Sequence, residues 1–256
     1  MRFRFLSLAL AAGLALGTSG ARADAITETA YASLGGSAIS FSELVVGAPD
    51  GVLIEGLLGS GGVLFGERFA GQELAVAKAP RPGAVAQDWF DDLSFGTPSA
   101  GLTLLAGATG ANLGAYDYGD ADGIALAGIG PQNPDGSDPF GLGAISARFD
   151  APVSALGLQL RESGGGAITL SLYRLDGSLI QAMDLSGRSD GFYAFTRSDG
   201  SADIAGFTLT NRDSYYGIAI DNLLLSPVPE PASALLAVLG LALLGGLRRR
   251  RDQALD

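Results

Sequence analysis

The clearest periodicity lies late in the chain. In "AITLSLYRLDGSLIQAMDL", Ile168, Leu170 and Leu172 share one parity, and Thr169 and Ser171 the other. A period of two is that of a half-buried strand. Asp176-Gly177 supplies a tight-turn pair, and "SLIQAMDL" runs back, so this stretch predicts a hairpin. "GFYAFTRSDGSADIAGFTLTN" reads as a second hairpin about Asp199-Gly200, and "YGIAIDNLLLS" as a closing strand with Ile218 and Ile220 on one face. Asp221-Asn222 in that strand predicts a bulge or side-chain bonds to a neighbouring loop. "ISARFDAPVSALGLQLRE" gives two more strands, broken at Pro152.

The first half is less regular. "AISFSELVVG", "GVLFGERFAG" and "GLTLLAG" read as strands, whereas "GANLGAYDYGDADGIALAGIGPQNPDGSDPFGLG" reads as long loops around one strand. From Ile26 to Ser226 no pattern supports a helix beyond a turn or two, and no repeat of solenoid or propeller length is visible. Short strands with Gly-rich turns predict one all-β domain over residues 24–226, an antiparallel β-sandwich.

Both ends break the pattern. Arg2 and Arg4 precede the apolar run Leu6–Leu16, and Ala21 and Ala23 follow as an A-x-A site. That order predicts a secretory signal peptide over 1–23, with cleavage after Ala23. At the other end, residues 232–247 carry no charge over 16 positions. As a helix they span roughly 24 Å, short of a hydrocarbon core of about 30 Å. Arg248, Arg249, Arg250 and Arg251 follow directly, and arginines that snorkel to headgroups supply the missing length. The run therefore predicts a single transmembrane helix with its arginine end in the cytoplasm and the β domain on the far side.

Composition narrows the chemistry. The chain has no Cys and no His. Disulfides and His-based triads are excluded, and zinc lacks its usual ligands. Carboxylate chemistry and oxygen-ligated metals remain. Once the two ends are set aside, 24 acids face 9 bases in the body. Such a surface suits divalent cations and excludes nucleic acid as a partner.

The candidates are therefore acidic. Asp117, Asp120 and Asp122 in "DYGDADG", with Asn133 and Asp135 in "NPDGSD", offer oxygens for calcium, the one cofactor the sequence suggests. Neither stretch fits an EF-hand, and Asp-rich loops also arise simply as turns. Trp89, the only Trp, stands beside Asp91 and Asp92, a set suited to stacking on and hydrogen-bonding a sugar; the alternative is a core or edge tryptophan. "LRESGGG" and "GERFAG" lack the lysine and helix of a phosphate cradle. No acid pair is marked by spacing as a catalytic couple.

The C-terminus carries a resemblance. Pro229, Glu230 and Pro231, then the apolar run 232–247, then Arg248–Arg251, resemble the PEP-CTERM sorting signal over 227–256; the departure is the short "DQALD" beyond the arginines. The resemblance implies a Gram-negative bacterial protein recognised near Pro-Glu-Pro by an exosortase. It implies an inner-membrane precursor with its body in the periplasm, later at the cell surface or outside, where exopolysaccharide is the expected companion. The body is also similar to secreted jelly-roll domains at Val63–Phe65, Phe149–Leu156, Asp176-Gly177 and Ile220–Leu223. This supports a non-enzymatic surface or matrix protein. Two alternatives stay open: a calcium-assisted polysaccharide-binding module, and a carboxylate-dependent glycan hydrolase or lyase.

Overall fold

The structure is a computed structural model that describes residues 25–47, 51–78, 89–119, 123–130, 140–161, 168–211 and 217–226. The expected signal peptide and the tail from 227, with its transmembrane helix, lie outside the described residues. Among the described residues no helix is long and apolar enough to cross a membrane.

The strands are β1 (Ile26–Thr29), β2 (Val52–Ile54), β3 (Leu58–Ser60), β4 (Val63–Gly66), β5 (Arg68–Phe69), β6 (Gln72–Lys78), β7 (Trp89–Gly96), β8 (Leu104–Leu105) and β9 (Leu113–Asp117). They continue with β10 (Ile124–Ile129), β11 (Phe140–Gly143), β12 (Ile145–Val153), β13 (Ala155–Arg161), β14 (Ile168–Tyr173), β15 (Leu179–Asp184), β16 (Gly191–Arg197), β17 (Ile204–Asn211) and β18 (Ala219–Ser226). Every named pairing is antiparallel, in keeping with the all-β expectation. One sheet runs β1-β16-β13-β18-β10-β9-β2, with β11 also on β10; a second runs β15-β14-β17-β12-β4-β3. The pairs β5–β8 and β6–β7 stand apart as two-stranded ribbons.

The two large sheets share one core. Leu156, Leu158, Leu160 and Ile220 from the first meet Ile145, Leu170, Leu172, Phe207 and Leu209 from the second, all fully buried. Strand β14 shows the expected alternation, with Ile168, Leu170 and Leu172 buried and Thr169 and Ser171 only half so. Its hairpin with β15 turns at Gly177, whose φ of +87° and whose approach to Pro98 leave no room for a Cβ. Strand β13 is buried on both faces. Beyond the core leucines, the outer face of β13 is covered: Tyr31 packs over Gly157, and Gln159 accepts a hydrogen bond from Asn222 at 2.7 Å.

Asp221-Asn222 forms the expected bulge. The register of β18 against β13 slips by one residue there, and Asn222 takes φ +47°. The Tyr31 hydroxyl donates to the Asn222 carbonyl at 2.7 Å.

Four expectations are corrected. Residues about Asp199-Gly200 do not close a hairpin, because β16 pairs with β1 and β13 while β17 pairs with β12 and β14. The turn carries the chain from one sheet to the other. Asp203 holds it, bonding Arg174 at the end of β14 and Arg197 at the end of β16, each at 2.8 Å. The segment "AISFSELVVG" is no strand. Only Ile39 pairs, as a bridge to Leu223, and the chain then turns at Phe41, φ +53°, to bury that ring against Phe65. The stretch read as loops about one strand holds three, β9, β10 and β11. Its small residues Ala125 and Ala127 pack under Tyr118 and Phe140, so a buried outer face carries little hydrophobic signal. The break expected at Pro152 falls at Ser154, where the chain leaves β12 in one sheet for β13 in the other.

Candidate functional site

A cleft of about 510 Å³ opens beside the β6–β7 ribbon, lined by Glu67, Arg68, Leu74, Asp91, Gly107 and small alanines. Glu67 sits at the break between β4 and β5. Its N–H donates to Leu105 O and its carbonyl accepts the Ser146 hydroxyl, both at 3.0 Å, so strands on two sides fix its backbone. Arg68 Nη1 donates to Glu67 Oε2. The other carboxylate oxygen faces Gly107, where a Cβ would lie 2.6 Å from it and 1.9 Å from the Ala111 carbonyl. Only glycine fits there, and Asn112 holds the loop in place. Asn112 Oδ1 accepts the Gly107 N–H at 2.9 Å, while its Nδ2 donates to the carbonyls of Ile54 and Gly56.

Asp91 enters the cleft from β7. Glu67 and Asp91 are 2% and 3% exposed, so both acids are held largely out of water. The Ala144 N–H donates to Asp91 Oδ2 at 3.1 Å. Burial pushes the Asp91 carboxyl up to about 7; the Ala144 N–H opposes the rise, the Glu67 carboxylate adds to it, and Arg68 opposes it. Burial also raises Glu67, against the pull of Arg68. The cleft thus holds an ion pair, Glu67–Arg68, next to a carboxyl that keeps its proton near neutrality. Such a set can donate and accept protons or bind hydroxyl-bearing ligands.

The expected site residues separate. Asp91 and Asp92 are adjacent, yet alternation sends Asp92 elsewhere, where it accepts the Ser94 N–H at 2.9 Å in a local turn. Trp89 opens β7 with its backbone opposite Lys78; its side chain lies outside the described residues. Of the calcium candidates, Asp117 accepts the Gly119 N–H at 2.8 Å, the turn geometry that Asp-rich loops adopt. Asp120, Asp122, Asn133 and Asp135 lie outside the described residues. Among the described residues no group of three or more acids is gathered for a metal. Reading "GVLFGERFAG" as a strand, and "GERFAG" as no phosphate cradle, does not single out Glu67. Its signal was a charged pair inside the apolar run "VLFGERFAG".

Fold and sequence together define an antiparallel all-β protein with an address on its tail. The family model of the PEP-CTERM protein-sorting motif matches residues 227–251, the stretch holding Pro229–Pro231 and Arg248–Arg251. The chain thus carries a PEP-CTERM protein-sorting motif on its tail, and that motif implies an exported precursor anchored in a membrane and processed by an exosortase. No curated protein and no solved structure matches the chain.

Proposed function

We propose that this is a non-enzymatic cell-surface or matrix protein whose cargo is a jelly-roll-like β-sandwich. The observation that carries the reading is the sorting motif at 227–251, which begins directly after the last core strand ends at Ser226. In this reading the signal peptide directs export, residues 232–247 hold the body at the inner membrane, and an exosortase cuts near Pro229-Glu230-Pro231. The body then reaches the surface or the surrounding matrix. The double variant P229A/E230A tests it in the producing cell. Its product should stay at precursor size in the membrane fraction, while the wild type appears shortened and outside. Equal size and equal location for the two would overturn the reading.

A second reading has one observation in its favour. The cleft places a carboxyl titrating near 7 beside one paired with Arg68, an arrangement of two acids akin to that used in glycoside hydrolysis. Reducing ends released from the cell's own polysaccharide by wild type, and lost in both D91N and E67Q, would support it. No release by wild type would dismiss it.

A further inference from the structure

We propose that the Asp91–Ala144 contact is a proton-controlled clasp for the β6–β7 ribbon, closed in acid and released as the carboxyl ionises. The ribbon joins neither large sheet, its strands pairing only with each other. Its root is tied by Gln72, which accepts the Phe69 N–H at 2.8 Å and donates to the Tyr173 hydroxyl at 3.3 Å. Farther out, Asp91 reaches across to Ala144, in the junction between β11 and β12. Of the ribbon's described apolar side chains, Leu93 is buried while Leu74 and Phe95 are exposed at 37% and 57%. An element outside the two large sheets opens at smaller cost than their core strands, so a polar tie weighs on it.

The surroundings of Asp91 decide which protonation state the closed ribbon accepts. Glu67 and Arg68 face it across the cleft, and Arg68 is already engaged by Glu67. Strand β6 brings Glu73 and Lys78, whose backbone partners are Phe95 and Trp89 toward the two ends of the ribbon. Asp92 is on β7 itself and is occupied with Ser94. Strands β11 and β17, which pack on β7, have no titratable side chain, nor do the small residues of the 106–111 loop. An ionised Asp91 in the closed cleft therefore lies next to a second carboxylate, and Arg68, the described cation of the cleft, is already engaged by that carboxylate. Opening the ribbon hydrates it.

The sign follows from linkage. The closed form holds the Asp91 proton up to about pH 7, whereas a hydrated aspartate gives it up near 3.8. Between those values opening gains roughly tenfold per pH unit, and it levels off above the upper one.

Hydrogen exchange on the full chain in detergent, from pH 4.5 to 8 and corrected for intrinsic amide chemistry, reads this directly. Opening of amides in β6 and β7 should rise roughly tenfold per pH unit up to about 7, while β14 and β17 stay flat. D91N keeps an acceptor for the Ala144 N–H but cannot ionise, so its ribbon should show no rise. E67Q removes the neighbouring charge, so the plateau should arrive at lower pH. A ribbon no more pH-dependent than β14, a slope that survives in D91N, or an unmoved plateau in E67Q would each overturn the clasp.

Discussion

At the scale of single residues, Asp91 is where this fold accepts a cost. Its carboxyl is 3% exposed and its one described hydrogen bond comes from Ala144. Because burial raises it from 3.8 to about 7, the unfolded chain releases this proton first. The contribution of Asp91 is complete below pH 4 and declines as pH rises toward 7, by up to about 4 kcal/mol. Asp91→Asn escapes that decline. Its melting temperature should match the wild type near pH 4 and exceed it at pH 8, by several degrees in a domain of this size. Calorimetry at the two pH values checks this, and a variant less stable at pH 8 would show that the charge is stabilised in the closed cleft. Gly107 makes the complementary case. An alanine there meets the Ala111 carbonyl at 1.9 Å and Glu67 Oε1 at 2.6 Å, so Gly107→Ala must push the cleft wall outward. A loss of roughly 1–3 kcal/mol is expected, read by denaturant unfolding.

At the scale of elements, legibility followed how each strand was buried. Strand β14 was readable because one face meets the core and the other is half-exposed, which writes alternation into "ITLSLY". The stretch of β9, β10 and β11 was readable only as one strand among loops, because "IALAGI" is buried along nearly its whole length and its outer face needs small residues beneath Tyr118 and Phe140. The turn at Asp199-Gly200 was legible as a turn but not as a crossover, since both need the same residues. What distinguishes the crossover is Asp203 between Arg174 and Arg197, contacts over 29 and 6 residues that no local pattern encodes. Asp91 was legible as a candidate, while its partner Glu67 lies 24 positions away in another element and only folding joins them. Asp203 also carries a prediction. Arg197 is 4% exposed, so Asp203→Ala takes the 2.8 Å ion partner from a buried guanidinium at the edge where the two sheets are joined and leaves it Asp199 at 3.7 Å. Asp203 itself is 28% exposed, which tempers the loss to about 1–3 kcal/mol. Arg197→Met in the same background should recover part of that loss, and denaturant midpoints of the single and double variants measure it.

At the scale of the whole molecule, the fold limits where the tail can be cut. Strand β18 is interior to its sheet, pairing with β13 on one side and β10 on the other. Its final stretch is structural: Leu223 is fully buried and bonds Ile39 in both directions, and Leu225 and Ser226 still pair with Leu156 and Ala155. A cut before Leu223 would remove Leu223, Leu224 and the last ladder bonds. At roughly 2–5 kcal/mol for each large core side chain lost, that consumes most of the 5–15 kcal/mol that holds a domain together. A cut beyond Ser226 removes nothing that pairs among the described residues. Residues 227–228 therefore separate the sandwich from the Pro229-Glu230-Pro231 clip by the length of a dipeptide, roughly 7 Å when extended. If residues 232–247 hold the membrane as proposed, the body rests close to its surface while the enzyme works, and the released form should end between Pro227 and Pro231. Intact-mass measurement of the exported protein locates that terminus. A chain truncated after Ser226 should unfold at the same temperature as the released form, whereas one truncated after Asn222 should fail to fold. A mature terminus upstream of Leu223 on a folded product would show that β18 is dispensable and that the core closes without it.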